Sequence, residues 1–321
     1  MRISILGAGA IGAYLAGRLG AAGGGEVHVI ARGAALAAIE RDGIAVEGTV
    51  AVRAKVSASR IDQAPPADVL ISCVKAFAVP DLSAHVKHLV KPDGLWVCVV
   101  NGIPWWYGAA PANSVDPGGR IRASFPVART AGCVAYLRCQ VRQPGVVVFS
   151  GGSGLIMGLP ERSMPPLLDQ CAARFVAAGI PAKTTDDIKT AVWNKLFGNV
   201  ALNPLSAITG FTIRQLLEDP DLNGLMTEMI SEAMALADAE GAKAESDPCQ
   251  RVQAMVALGP FRTSMLQDVD AGRPIELDGI LGAMIEVADR RGIDVPACRR
   301  VYALARAFAS SRGLMPGAAA Q

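Results

Sequence analysis

The first dozen residues constrain this chain more than any other stretch. Residues 2–6, RISIL, read as a strand, GAGAIG follows, and an apolar helix is expected from about Ala10 to Ala21. A strand that runs through a glycine-rich turn into a helix is the phosphate-binding start of a dinucleotide fold. Gly7, Gly9 and Gly12 stand at the GxGxxG spacing. Gly7 permits the tight turn, Gly9 lets the backbone approach a pyrophosphate, and Gly12 allows close helix–strand packing. The helix N-terminus then faces the phosphates. The whole run, Ala10 and Ile11 included, is the expected cofactor cradle.

The pattern continues. EVHVIA at 26–31 is the next strand at βαβ distance, and ADVLISCV at 67–74 and LWVCVV at 95–100 are continuously apolar, as buried parallel strands are. Helical stretches lie between them, which indicates a doubly wound α/β sheet of Rossmann type. Residues 121–159 read as β-rich, with a hairpin around Gln143-Pro144-Gly145. From Asp187 onward the patterns turn helical, over 187–203, 221–241, 248–267, 275–291 and 296–311, before a frayed tail GLMPGAAAQ. GIPAKTTD at 180–187 suits a junction. The expected organisation is a Rossmann domain over 1–186 and an all-helical domain over 187–321.

Composition narrows the function classes. A net charge of +2 on 321 residues gives no electrostatic case for nucleic acid, and 51% hydrophobic against 19% charged residues is far from the disordered class. Seven cysteines without a CxxC pair argue against a disulfide framework or a cysteine-rich zinc site, so no metal is expected. They suit a reducing, cytoplasmic location. A secretory reading of the apolar N-terminus is opposed by its spaced glycines, by Arg18 and by the strand that follows. No apolar run reaches the ~18 residues of a membrane span. The three histidines, His28, His85 and His88, all lie in the first third. Any acid or base in the second half must therefore be another residue type.

The ends of the strands carry the cofactor signal. An NAD or FAD site usually places Asp or Glu after the second strand, whereas this chain reads VIARG with Arg32 there. An arginine can pair with a 2′-phosphate, which points to NADPH, with an ordinary surface arginine as the competing reading. Lys75 in CVKAF and Asn101 in VVNGI follow the next two strands, where ligands bind such sheets. Trp105 and Trp106 come directly after and either wall a pocket or pack in a core or interface.

In the second half, WNKLFGNVALNPLSAITG at 193–210 sets Lys195, Asn199 and Asn203 four apart. They span about 80° of helical arc at 3.6 residues per turn. Asparagine is a poor choice for an exposed helix interior, so the stripe reads as hydrogen-bonding rather than merely solvated. Pro204 is expected to kink or restart the helix and free Asn203 to act as a cap. A ketone being reduced needs a proton on oxygen, and with no histidine at hand Lys195 is the reasonable donor. Ser264 and Glu276 are paired in TSMLQDVDAGRPIELDGILG, with first-turn helix electrostatics as the plain alternative for the acid.

GAGAIG, CVKAF, VVNGI, WNKLFGNVALNPLSAI and SMLQDVDAGRPIELDGILG, in this order, resemble the ketopantoate (2-dehydropantoate 2-reductase) family over essentially the whole chain. The resemblance implies a Rossmann domain and a helical domain with the active site in the cleft. It also implies NADPH-dependent reduction of 2-dehydropantoate to (R)-pantoate on the route to pantothenate and coenzyme A. Carried over by motif, Lys195 is the general acid and Glu276 bonds the reacting oxygen. Asn199, Asn203 and Ser264 bind substrate. Asn101 positions substrate and nicotinamide, with Glu276 also against the cofactor, and Arg32 and Lys75 serve NADPH. A homodimer is compatible with this reading. NGIPWWYGAA is more aromatic than the family pattern, and Ile213 stands where a polar contact is expected. Both keep open a reductase of another 2-oxo acid. A non-catalytic NADP(H) sensor and a flavoprotein are the remaining alternatives, the second disfavoured by Arg32.

Overall fold

The computed structural model describes residues 1–110, 112–256 and 259–317, which form two compact units. Residues 1–100 and 119–188 make the first, and residues 101–118 and 189–321 the second. The expected division at 186/187 kept 101–118 with the sheet domain, whereas this aromatic segment packs with the helices.

In the first unit, β1 (Ile3–Leu6), α1 (Ala10–Ala22), β2 (Val27–Ile30) and α2 (Gly33–Asp42) open the chain. Three short strands follow, β3 (Ile44–Gly48), β4 (Val52–Ala54) and β5 (Ser57–Ser59). Next come β6 (Ala67–Ser72), α3 (Val79–Leu89) and β7 (Val90–Val99). After α4 (Arg120–Ser124), the long strands β8 (Thr130–Gln143) and β9 (Val146–Gly158) form an antiparallel hairpin. α5 (Pro166–Ala177) and β10 (Ala182–Thr184) complete the unit. Strand character was expected from residue 121, but Arg120–Ser124 is helical and the strand starts only at Thr130.

One sheet runs in the order β4-β3-β9-β8-β7-β6-β1-β2-β5, with β10 beside β9. From β5 to β8 every pairing is parallel, as continuous apolar strands require. α1 packs against β1 and β2 and also against β3, β4, β8 and β9. Since β2 and β4 lie near opposite ends of the strand order, the sheet curls around α1. The helix can serve as that axle because it is buried nearly all round: Tyr14, Leu15, Ala16 and Leu19 are each at most 1% exposed. Tyr14 stacks on Phe149 of β9 with ring centroids 4.4 Å apart.

The second unit is helical. α6 (Ile188–Thr209), α7 (Ile213–Glu218), α8 (Pro220–Ala239) and α9 (Pro248–Met255) are followed by α10 (Ser264–Asp270). A five-residue π-helix, Asp278–Gly282, runs into α11 (Ala283–Arg291), and α12 (Pro296–Ser311) closes the fold. The single helix expected over 248–267 is two, because Gly259 and Pro260 intervene and Thr263 caps a new start. Ala257 and Leu258 of that stretch, and residues 318–321 of the expected tail, lie outside the described residues. Among the described residues no helix is long and apolar enough to cross a membrane.

Candidate active site

In the first unit three expected cofactor residues follow the carboxyl-terminal edge of three neighbouring interior strands. β2, β1 and β6 are parallel neighbours in register at their ends, Leu6 lying opposite both Ile30 and Ser72. Gly7, Arg32 and Lys75 each follow one of these ends. The edge is tied by the amide of Gly7 to Ile30 O at 2.9 Å and the amide of Cys73 to Leu6 O at 2.8 Å.

The three glycines differ in what demands them. Gly7 has φ +101°, and a Cβ there would lie 2.7 Å from Val74 Cγ1. A Cβ on Gly12 would lie 1.9 Å from Gly7 O. Those two are imposed by the protein's own packing. Gly9 is the N-cap of α1, is exposed, and a Cβ there would meet nothing within 4 Å. It keeps clear a space that this chain does not fill, above helix amides that have no intrahelical acceptor. No side chain caps them and no acid sits in the first turn. The turn therefore fits a pyrophosphate, with Gly9, Ala10, Ile11 and Gly12 as its wall. Arg32 is exposed and is the N-cap of α2. Lys75 is half-buried and is the N-cap of a short 3₁₀ turn. Cys73 adjoins the turn, and burial pushes its thiol up to about 12, which keeps it protonated at neutral pH.

In the second unit the site is built on α6. Lys195 and Asn199 are half-buried and Asn203 is 4% exposed, so the polar stripe is not a solvated face. The helix does not break at Pro204; it continues unbroken to Thr209 and keeps Asn203 in its interior. A proline removes one amide and crowds the carbonyl four residues back, at a cost of about 3 kcal/mol. Leu202, Leu205 and Ala207, all buried on either side of it, hold the helix through that defect.

Ser206 falls inside the same arc as Lys195 and Asn199 by helical phase. It is fully buried, donates to Asn203 O at 3.0 Å, and meets Thr263 Oγ1 at 2.5 Å. Thr263 caps α10 by accepting the Leu266 amide at 3.1 Å. Ser264, the next residue, is thereby fixed to the stripe while staying exposed. Neither Ser206 nor Thr263 stood out as a site residue in the sequence. A threonine just before an apolar run is a legible cap signal, but its partner 57 residues away is not.

Glu276 is 8% exposed between Ile275 and Leu277, both fully buried. It lies just before the π-helix Asp278–Gly282, which runs into α11. Asn101 is brought to that segment, because the next peptide docks on it: Ile103 N donates to Gly279 O at 2.9 Å. The second unit thus holds all six candidates in two linked sets: Lys195, Asn199 and Asn203 with Ser264, and Asn101 with Glu276.

The aromatic segment is packed in the core. Trp105, Trp106 and Tyr107 are each at most 2% exposed. The Tyr107 hydroxyl accepts from Trp193 Nε1 at 2.7 Å, and Trp193 packs on Phe197 with centroids 6.1 Å apart. Trp193 and Phe197 lie about 160° from Lys195 on α6. Burial raises the Tyr107 phenol well above its ordinary range, so it stays protonated. Ile213 is likewise core, 3% exposed, opening α7 behind the Thr212–Gln215 capping box. Among the described residues no cluster of three His, Cys, Asp or Glu is arranged to hold a metal ion.

Residues 3–162 match the family described as Ketopantoate reductase PanE/ApbA, and residues 187–309 match its C-terminal region. A 2-dehydropantoate 2-reductase from Mesorhizobium japonicum is 32% identical, the alignment covering 98% of this chain and 99% of the relative. A crystal structure from Ralstonia solanacearum MolK2, provisionally named a ketopantoate reductase, is 33% identical with a TM-score of 0.91 over 98% of this chain and 99% of that one. A PanE/ApbA family ketopantoate reductase from Ralstonia eutropha JMP134 is 30% identical with a TM-score of 0.83, covering 97% and 99%.

Proposed function

The chain belongs to the ketopantoate reductase family and is an oxidoreductase acting on a keto group, and from that premise we propose that it reduces 2-dehydropantoate to (R)-pantoate with NADPH, in the supply of pantothenate. The observation that carries this reading is the buried link from Asn203 through Ser206 and Thr263 to Ser264. It ties α6, which carries Lys195, Asn199 and Asn203, to the start of α10, where Ser264 stands.

NADPH, when bound, supplies the hydride. The first-turn amides of α1 hold its pyrophosphate, and Arg32 pairs with the 2′-phosphate. Lys75 meets the cofactor or the substrate carboxylate from the end of β6. Lys195 gives the proton to the developing alkoxide, and its charge stabilises that oxygen as it forms. Glu276 accepts from the new hydroxyl. Asn199, Asn203 and Ser264 orient the carboxylate and hydroxyl of the acid, and Asn101 orients the keto carbon toward the nicotinamide.

The test follows loss of NADPH absorbance with 2-dehydropantoate and a panel of bulkier 2-oxo acids. The reading expects 2-dehydropantoate to have the highest kcat/KM. A bulkier acid winning clearly would leave the chemistry but overturn the substrate.

A further inference from the structure

Residues 101–118 leave the strand before them and lie along the helix after Glu276. At one end, Gly102 has φ +87°, and a Cβ there would lie 2.0 Å from Gly279 O and 2.5 Å from Gly279 C. Backbone rests on backbone, and no other residue type fits. At the other end, the Glu286 carboxylate accepts from the amide of Asn113 at 2.5 Å, from the amide of Ser114 at 2.8 Å, and from the Ser114 hydroxyl. Arg290 Nη1 donates to Ala110 O at 2.6 Å. A Cβ on Gly282 would come within 3.2 Å of Ser114 Oγ. Gly279, Gly282, Glu286 and Arg290 are spaced by three and four, so they make one stripe of this helix. The segment is a strap laid along that stripe.

We infer that Glu286 is a positioning residue for Asn101. The amides of Asn113 and Ser114 find their acceptor on this helix, and a loop whose polar backbone groups are satisfied from outside is held to one conformation. One carboxylate supplies three charge-assisted bonds to the strap. With that anchor made, Gly102 is pressed on Gly279, three residues beyond Glu276. The direction of Asn101 is then set relative to Glu276 by the same helix. Without it, the strap keeps the contacts of Gly102 and Ile103 with Gly279, the Arg290–Ala110 bond and the Tyr107–Trp193 bond, but it loses its tie at 113–114, and Asn101 is aimed less tightly. This inference rests on the proposed role of Asn101 in orienting the keto acid.

The test is a double-variant cycle, Glu286→Ala with Asn101→Ala, read as kcat/KM for 2-dehydropantoate at saturating NADPH. NADPH affinity is measured alongside by fluorescence. Misplacement of a positioning group costs roughly 10²-fold, and Glu286→Ala is expected to lose about that much with NADPH affinity unchanged. The double variant is expected to be no worse than Asn101→Ala alone, and Glu286→Gln, which keeps an acceptor oxygen, to recover most of the loss. Should Glu286→Ala not fold, Ser114→Ala removes one donor and is expected to show a smaller loss in the same non-additive pattern. Losses that multiply in the double variant would show a merely structural role and overturn the inference while leaving Asn101's role intact. Full activity in Asn101→Ala would overturn both.

Discussion

Ser206 and Thr263 meet through buried hydroxyls 2.5 Å apart, which joins the interior of α6 to the start of α10. The pair fixes Ser264 against the stripe that carries Lys195. Ser206→Ala leaves the Thr263 hydroxyl buried without this partner, and such a loss costs about 1–3 kcal/mol. Urea unfolding is expected to show that destabilisation, with a raised KM for the keto acid and unchanged NADPH affinity. A stability within about 0.5 kcal/mol of the parent, the usual range for a neutral surface change, would mean the contact is incidental.

The glycines of the fingerprint separate by function. Gly12→Ala puts a methyl 1.9 Å from the Gly7 carbonyl oxygen and is expected to destabilise the fold. Gly9→Ala meets no protein atom within 4 Å and is expected to melt like the parent. Its methyl instead occupies the space assigned to the pyrophosphate, so NADPH affinity should fall by about a decade or more, where one decade is ~1.4 kcal/mol. Normal NADPH binding by Gly9→Ala would remove the cradle from that turn.

Arg32 is exposed at the end of β2, where the chain has no acid to hold a ribose. A charge-assisted bond to a phosphate is worth about 1.5–3 kcal/mol. Arg32→Ala is expected to weaken NADPH by roughly 10- to 100-fold and to leave NADH nearly unchanged. Equal weakening of both would show that Arg32 does not read the 2′-phosphate.

Much of this was legible in the chain. The GxGxxG turn, the continuous apolar strands and the spacing of four in α6 are local patterns, and the fold carries all three. What the sequence hid was non-local. β3, β4 and β5 are too short to show a period, and they owe their place to packing around α1 and pairing with distant strands. Pro204 reads as a break because local propensity forbids it, yet burial on both sides keeps α6 whole. Trp105 and Trp106 read equally as pocket walls or as core or interface packing, because they follow Asn101 with no local pattern to decide between the two. The structure buries both, and Tyr107 beside them bonds Trp193 on the face of α6 away from Lys195. Glu286 carries no motif, and only the docked strap shows what it holds.

The account turns on Lys195 as proton donor. Single-turnover reduction of 2-dehydropantoate by the NADPH-loaded enzyme compares Lys195→Ala with the parent at equal, saturating substrate. The expected loss in the chemical rate is roughly 10²–10⁴-fold, the scale of a missing general acid, with NADPH still bound. A loss of less than about tenfold would contradict the role and leave the stripe of α6 as a substrate-binding surface alone.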